Sequence, residues 1–287
     1  MNSYFTAKIL QATHSVRITK TETIQELWSG YGKILRVYLE GGALSQVVVK
    51  HIATPKNLQN QYHPRGWNTN IGHQRKLKSY KVESEWYASY SKQSKARLPK
   101  CIGIENFENE VVIILEDLNL SGYDLRKDTP SWQEISICLD WLAAFHASFL
   151  QVPPKGLWQE GTYWHLATRT EEWEAITDAK LKSAAIAIDQ KLKSCKYQTL
   201  VHGDAKLANF CFSANGTIAG VDFQYVGAGC GMKDVAYFIS SCLLEKDCER
   251  LETQILDQYF RCLQQYLPQP NLAVSYTHLT LPTTSRV

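Results

Sequence analysis

The run His202-Gly203-Asp204-Ala205-Lys206-Leu207-Ala208-Asn209-Phe210 puts a carboxylate, an ammonium and a side-chain amide on one short stretch of chain. A second carboxylate, Asp222, follows an apolar run in Val221-Asp222-Phe223-Gln224. Phosphoryl transfer from ATP needs a carboxylate to orient and deprotonate the attacking hydroxyl. It also needs oxygen ligands for the Mg²⁺ that bridges the phosphates, and positive charge against the phosphates themselves. Asp204 can be the base, and Lys206 can neutralise charge on the group in transfer. Asn209 can ligate metal through its amide oxygen. Asp222 supplies a second ligand, and a hard cation such as Mg²⁺ is typically held by one or two protein oxygens together with phosphates and waters.

The elements that must position these groups follow from local patterning. A short helix is expected over Tyr4–Thr13. Two strands flank a Gly turn in ETIQELWSGYG and KILRVYLEGG, with Val37 and Leu39 on one face and Tyr38 on the other. The Val47-Val48-Val49 run suits a buried strand ending at Lys50. Thr54–Lys76 reads as a long polar loop, and Leu77–Lys92 as a helix that carries Glu83, Trp86 and Tyr87. The strand EVVIILEDL comes next. After it, SWQEISICLDWLAAFHASFL has a helix cap at Ser131 with Glu134 three residues on. A helical block is expected over Arg169–Ser194, then a strand at ANFCFS, a turn at Ala214-Asn215-Gly216, a strand at TIAGVDF, and helices at Lys233–Leu244 and Glu249–Tyr266. Strands dominate before residue 118 and helices after it, which argues for two lobes rather than a regular βαβ succession.

Residues 274–287, VSYTHLTLPTTSRV, break abruptly with the composition before them. The stretch can be encoded by GTC TCT TAT ACA CAT CTG ACG CTG CCG ACG, which resembles a transposon-based library adapter read in frame. It is left out of fold reasoning, and the natural chain is expected to continue past Ala273.

Composition narrows the function classes. A net charge of +3 is too small to point to nucleic acid or a membrane surface, although it is compatible with an anionic ligand such as a nucleotide. No apolar run is long enough for a spanning helix, and Met1–Leu10 lacks the pattern of a secretory signal. The eight cysteines form no CxxC pair and read as buried free thiols of a cytoplasmic protein. No protein partner is inferred; the expected partner is a small-molecule hydroxyl acceptor.

The composite of H-G-D-x-x-x-x-N and D-F-Q resembles the catalytic and metal-binding motifs of aminoglycoside phosphotransferases, choline kinases and ecdysteroid-kinase-like proteins. The D-F-Q form, with GCGMKDVAYF after it, looks most like the ecdysteroid-kinase-like branch, including its bacterial members. The resemblance covers roughly residues 25–265. It implies an α+β, two-lobed protein-kinase-like fold: an N-lobe, residues 1–118, mostly antiparallel sheet plus helix, and a mostly helical C-lobe, residues 119–273. It implies ATP and Mg²⁺ as cofactors, with Mg·ATP bound between the lobes and a small-molecule hydroxyl as acceptor.

Further roles carry over position by position. Lys50 matches the lysine on the α- and β-phosphates, although a solvated strand-end lysine would look the same in sequence. Glu83 matches its carboxylate partner, with Glu85 a close competitor. Gly30 and Gly32, in Ser29-Gly30-Tyr31-Gly32, match the nucleotide-covering loop or form a plain hairpin turn. Glu116 and Leu118 match the hinge that receives adenine through backbone groups, or simply end a strand. The resemblance makes Asp234 a brace for the catalytic loop and His202 a positioning residue. Asp124 and Arg126 read as a helix cap rather than substrate contacts. Tyr163, Trp164 and His165 either line the acceptor pocket or pack in the core. Two rival functions remain in view. A protein kinase is disfavoured by Gly203, where such enzymes usually carry Arg, and by the lack of Ala-Pro-Glu after Asp222. A nucleotide-binding protein without catalysis has no need of a base at Asp204.

Overall fold

Apolar residues alternating along three strands, closed by one helix, build the core of the first half of the chain. In the computed structural model, which describes residues 3–27, 30–54, 70–162, 165–168 and 170–267, the chain divides into two compact units. The first takes Met1–Lys92 and Leu98–Asp124; the second takes Gln93–Arg97 and the chain from Leu125 on.

The first unit holds α1 (Ser3–Thr13), β1 (Arg17–Glu26), β2 (Gly32–Glu40), β3 (Gln46–Ala53), α2 (Asn70–Glu85), β4 (Cys101–Phe107) and β5 (Glu110–Glu116). Its sheet has the order β1-β2-β3-β5-β4 and is antiparallel throughout. The register pairs Val37 with Val47, Leu35 with Val49, and Val49 with Ile114. These side chains therefore share one face, where Phe5 and Ile9 of α1 complete a buried cluster. Each such side chain contributes about 1.5–3 kcal/mol by leaving water. Lys50, Ile52 and Ile113 are buried as well but alternate to the opposite face.

Two features differ from expectation. Helix α2 begins at Asn70, inside the stretch expected to be loop, because its first turns are polar and contain Gly72, so no apolar period marks them. A tertiary contact holds that end: the Tyr31 hydroxyl lies 2.5 Å from His73 Nδ1. Strand β4 carries no clear strand signature in sequence, since Gly103, Glu105 and Asn106 interrupt its pattern and it lies at the sheet edge with a register shift near Cys101. The remainder of the expected loop, residues 55–69, lies outside the described residues, as do Ser29, Tyr163, Trp164 and residues 268–287.

The second unit is mainly helical: α3 (Trp132–Ser148), α4 (Thr170–Glu174), α5 (Ala179–Lys193), α6 (Met232–Ser240) and α7 (Glu245–Tyr266), with the short strands β6 (Gln198–Val201), β7 (Phe210–Phe212), β8 (Ile218–Gly220) and β9 (Gly227–Cys230). Ser131 and Glu134 form a reciprocal capping box at the start of α3. That helix is apolar nearly all round, burying Leu139, Leu142 and Phe145 among others, as a central helix must. The expected helical block after Arg169 is two helices, α5 starting afresh where Asp178 caps Lys180 and Leu181. Asp124 and Arg126 lie in an extended segment, with Leu125 bridged to Phe212, and the helix that follows takes its cap from Ser131 instead. No helix among the described residues is long and apolar enough to cross a membrane. All eight cysteines are free thiols.

Candidate active site

The catalytic-loop candidates leave β6 and enter β7. The chain turns sharply at Gly203, φ +82°, where a Cβ would collide with the carbonyl oxygen of Tyr225. No other residue type satisfies both the left-handed backbone and that approach. A single 3₁₀ turn, Leu207–Asn209, then delivers the chain to β7.

Within this loop the expected residues converge. Asp204 is 5% exposed, and its Oδ2 accepts from Lys206 Nζ and Asn209 Nδ2, both at 3.0 Å. Asn209 Nδ2 also donates to the Asp204 carbonyl at 2.7 Å. Both partners are acceptors, so the amide nitrogen must face Asp204, which leaves Asn209 Oδ1 as the oxygen available to a cation. Lys206 is far more exposed than Asp204, its side chain lying at the rim.

Asp222 reaches the same neighbourhood through the β7–β8 hairpin. Phe210 pairs with Gly220, and beyond that pair the Val221 N–H donates to the Asn209 carbonyl at 3.0 Å. Strand β8 ends at Gly220, and Asp222 follows at φ +68°. A left-handed aspartate is uncommon and costs on the order of 1–3 kcal/mol, the kind of strain that marks functional positions. Its Oδ1 accepts from Gln224 Nε2 at 2.7 Å. Among the described residues, no three or more His, Cys, Asp or Glu side chains form a metal cage. An amide oxygen and a carboxylate are nonetheless a donor set that Mg²⁺ accepts when phosphates and waters complete its shell.

His202 is fully buried and joins these two segments. Its Nδ1 accepts the Asp204 N–H at 3.3 Å and its Nε2 lies 3.0 Å from the Val221 carbonyl, which assigns the ring proton to Nε2. Beneath the loop, Asp234 is 1% exposed and accepts the backbone N–H groups of His202 at 2.6 Å and Gly203 at 2.9 Å. Burial alone would raise the Asp234 carboxyl, but the hydrogen bond from His146 and the Gly203 amide hold it below its ordinary value.

In the first unit, Lys50 and Glu83 meet as a buried ion pair, Nζ to Oε2 2.6 Å. Glu83 rather than Glu85 makes this contact because it shares a helix face with the buried Tyr80 and Tyr87. Gly30 and Gly32 lie at φ +74° and +127° in a tight turn, in which Leu27 N–H donates to the Gly32 carbonyl and Gly30 N–H to that of Leu27. At the end of β5, Glu116 accepts from the Lys100 N–H and Ser121 hydroxyl, and Asp117 just beyond is clamped by Arg36 and Gln46, both at 2.6 Å. The Leu118 carbonyl closes a turn with Ser121 and Tyr123. The Arg36–Asp117 clamp escaped sequence reasoning, as did the side chains that hold Asp234.

His165 faces Glu160 at 3.6 Å, alongside Lys233 at 2.9 Å and Lys193 at 3.3 Å. Burial would raise the Glu160 carboxyl, but Lys233 first and then His165 and Lys193 outweigh it and hold the group below its ordinary value. A cavity of about 240 Å³ opens beside Glu160, Lys193 and Lys233.

Comparison with solved structures shows the same fold. The GDP complex of wild-type aminoglycoside 2'-phosphotransferase-IIIa superposes with a TM-score of 0.53 at 13% identity, over 96% of this chain and 88% of that one. The apoenzyme of a macrolide 2'-phosphotransferase from Brachybacterium faecium gives 0.52 at 14% identity, over 94% and 86%. The streptomycin–ATP ternary complex of APH(2")-IIa gives 0.50 at 11% identity, over 96% and 86%. No curated protein matches the chain. The α+β fold is thus protein-kinase-like, in the form that small-molecule phosphotransferases use. The ecdysteroid kinase-like family matches over residues 77–155 and 158–271, more than half of the sequence and including both motif segments, and the chain belongs to that family.

Proposed function

We propose that this protein is a Mg·ATP-dependent phosphotransferase that moves the γ-phosphoryl group to a hydroxyl of a small molecule. The observation that carries the reading is the Asp204 carboxylate held between Lys206 and Asn209, with the Asn209 amide oxygen left over for a cation. Asp204 orients the acceptor hydroxyl for in-line attack and takes its proton, while Lys206 places positive charge beside the group in transfer. Asn209 and Asp222 are the residues that would hold Mg²⁺, which when bound neutralises charge on the phosphates. Lys50, fixed by Glu83, contacts the α- and β-phosphates. Gly30 and Gly32 cover the nucleotide, and the backbone of Glu116 and Leu118 receives adenine. Acceleration comes from positioning and electrostatics, and no phosphoenzyme is needed.

ATP is named as donor because the Lys50–Glu83 pair and the Asp204 loop are the parts that nucleotide-dependent phosphoryl transfer uses; solved structures of the same fold hold GDP or ATP. Eight free thiols fit a reducing compartment, and we place the activity in the cytoplasm. The fold does not choose among hydroxyl acceptors.

Calorimetry of Mg·ATP binding, comparing the protein with Asp222→Ala, tests the nucleotide site. Mg-dependent binding that the variant loses supports the reading; no binding by the folded wild-type protein overturns it. Asp204→Asn then tests the base: turnover is expected to fall by orders of magnitude with nucleotide binding retained.

A further inference from the structure

We propose that Arg36 and Gln46 are positioning residues for the nucleobase, acting through Asp117. The proposal rests on the reading of Glu116 and Leu118 as the residues that receive adenine. The β3–β5 ladder ends at the pair Val47 with Glu116. Asp117 and Leu118 therefore lie just past the point where backbone pairing with β3 holds the chain. A backbone that must meet a planar ring at hydrogen-bonding distance needs another anchor there.

Side chains supply that anchor. Gln46 of β3 donates from Nε2 to Asp117 Oδ2 at 2.6 Å, and Arg36 of β2 donates from Nε to the same oxygen at 2.6 Å. The other oxygen, Oδ1, accepts the Asn119 N–H at 3.0 Å. With both oxygens engaged the carboxylate cannot rotate. Asp117 is 3% exposed, so water does not replace a lost donor and each bond restricts the next. The flanking residues are tied too: the Glu116 N–H donates to the Lys100 carbonyl at 2.9 Å, and the Leu118 carbonyl accepts the Tyr123 N–H at 2.8 Å. The location also fits. Side chains alternate along β3, so Gln46, Val48 and Lys50 share one face, and Arg36 joins that face opposite Val48. From Gln46 to Lys50 is about 13 Å of strand, a length that suits a nucleotide with its base at one end and its phosphates at the other. Asp117, held by Arg36 and Gln46, thus fixes the base end of this face, as Glu83 fixes Lys50 at the phosphate end.

The test compares Arg36→Met, Arg36→Lys and Gln46→Ala in the full chain, with two readouts. The first is hydrogen exchange at the Asn119 and Tyr123 amides, which needs no nucleotide. The second is steady-state ATP turnover, resolved into kcat and KM. In Arg36→Met, exchange at those amides accelerates and KM for ATP rises by roughly tenfold. Its kcat at saturating ATP stays nearly unchanged, the pattern of binding lost equally from ground and transition states. Arg36→Lys keeps the charge without the planar fork and recovers part of both changes, which a packing role alone would not produce. Gln46→Ala removes only the neutral donor, shows a smaller change in the same direction, and carries the comparison if Arg36→Met does not fold. Wild-type exchange in the folded variants overturns the proposal. So does a wild-type KM alongside faster exchange, or a fall in kcat with KM unchanged. Faster exchange recovered by Lys, in a protein whose wild type neither binds nor turns over ATP, sinks the phosphotransferase reading and the base site with it, and leaves the clamp as a structural tie alone.

Discussion

His202 donates from Nε2 to the Val221 carbonyl at 3.0 Å, and the Val221 N–H donates to Asn209 at 3.0 Å. Both backbone groups of Val221 are thus bonded to the loop that carries Asp204. The next residue is Asp222. Asn209 is tied to the proposed base directly, and Asp222 is held beside that loop through one imidazole bond and one backbone amide bond to Val221.

His202→Phe keeps a ring against Trp141 and Phe223 but removes both imidazole bonds. The half-buried Val221 carbonyl and the buried Asp204 N–H lose their partner, which should destabilise the protein by about 1–3 kcal/mol. Urea unfolding checks this. A variant as stable as the wild type would mean that the two segments are held by packing alone.

Lys50→Met should cost about 3–5 kcal/mol, because it leaves the Glu83 carboxylate buried without its counter-charge. Adding Glu83→Leu should restore most of that stability, since a buried ion pair replaced by apolar groups is close to neutral. Both variants should bind Mg·ATP poorly, so stability and binding separate in the double variant. Denaturant midpoints for the three proteins decide the matter. If Lys50→Met alone is neutral, the pair is not buried in solution.

Much of this site could be read from residue types and spacing, and the losses have identifiable causes. Asp204, Lys206 and Asn209 come together because they are neighbours on one loop, where spacing alone limits their separation. Ser131 with Glu134 and the turn at Gly216 were legible for the same reason: the interaction is local. The start of helix α2 is not legible because Asn70–Lys76 has no apolar period, and its end is fixed by the distant Tyr31. Glu83 and Glu85 could have been separated by helical phase, since Tyr80 and Tyr87 fall three residues before and four after Glu83. His146 and Tyr259 carried no such signal. Their partner Asp234 is far away in sequence, and a histidine in an apolar helix resembles any packed core residue.

Gly203→Ala should disable the protein more than any surface change. The added methyl meets both a left-handed backbone and the Tyr225 carbonyl, so the loop must move. Turnover is expected to fall by roughly a hundredfold or more, as for a catalytic group displaced by about an ångström. Mg·ATP turnover and a melting curve on the same sample provide the check; an active, fully stable variant would show that the loop adopts another course.

Asp234 also predicts how stability responds to acid. Its carboxyl is held below the ordinary value of 3.8, chiefly against burial, by the hydrogen bond from His146 and the Gly203 amide; the Tyr259 hydroxyl lies one bond further out. A group whose folded pKa is depressed binds more protons unfolded than folded as pH falls through that range. Its contribution is therefore fully present above the unfolded value and is lost on descending toward the folded one, that is, below about pH 4. Asp234→Asn lacks this titration. The difference in unfolding free energy between wild type and Asp234→Asn should stay level from about pH 7 to pH 5 and shrink below about pH 4. Urea midpoints at a series of pH values measure it. A difference that shrinks already between about pH 7 and pH 5 would show that the Asp234 carboxyl is not the group whose titration dominates.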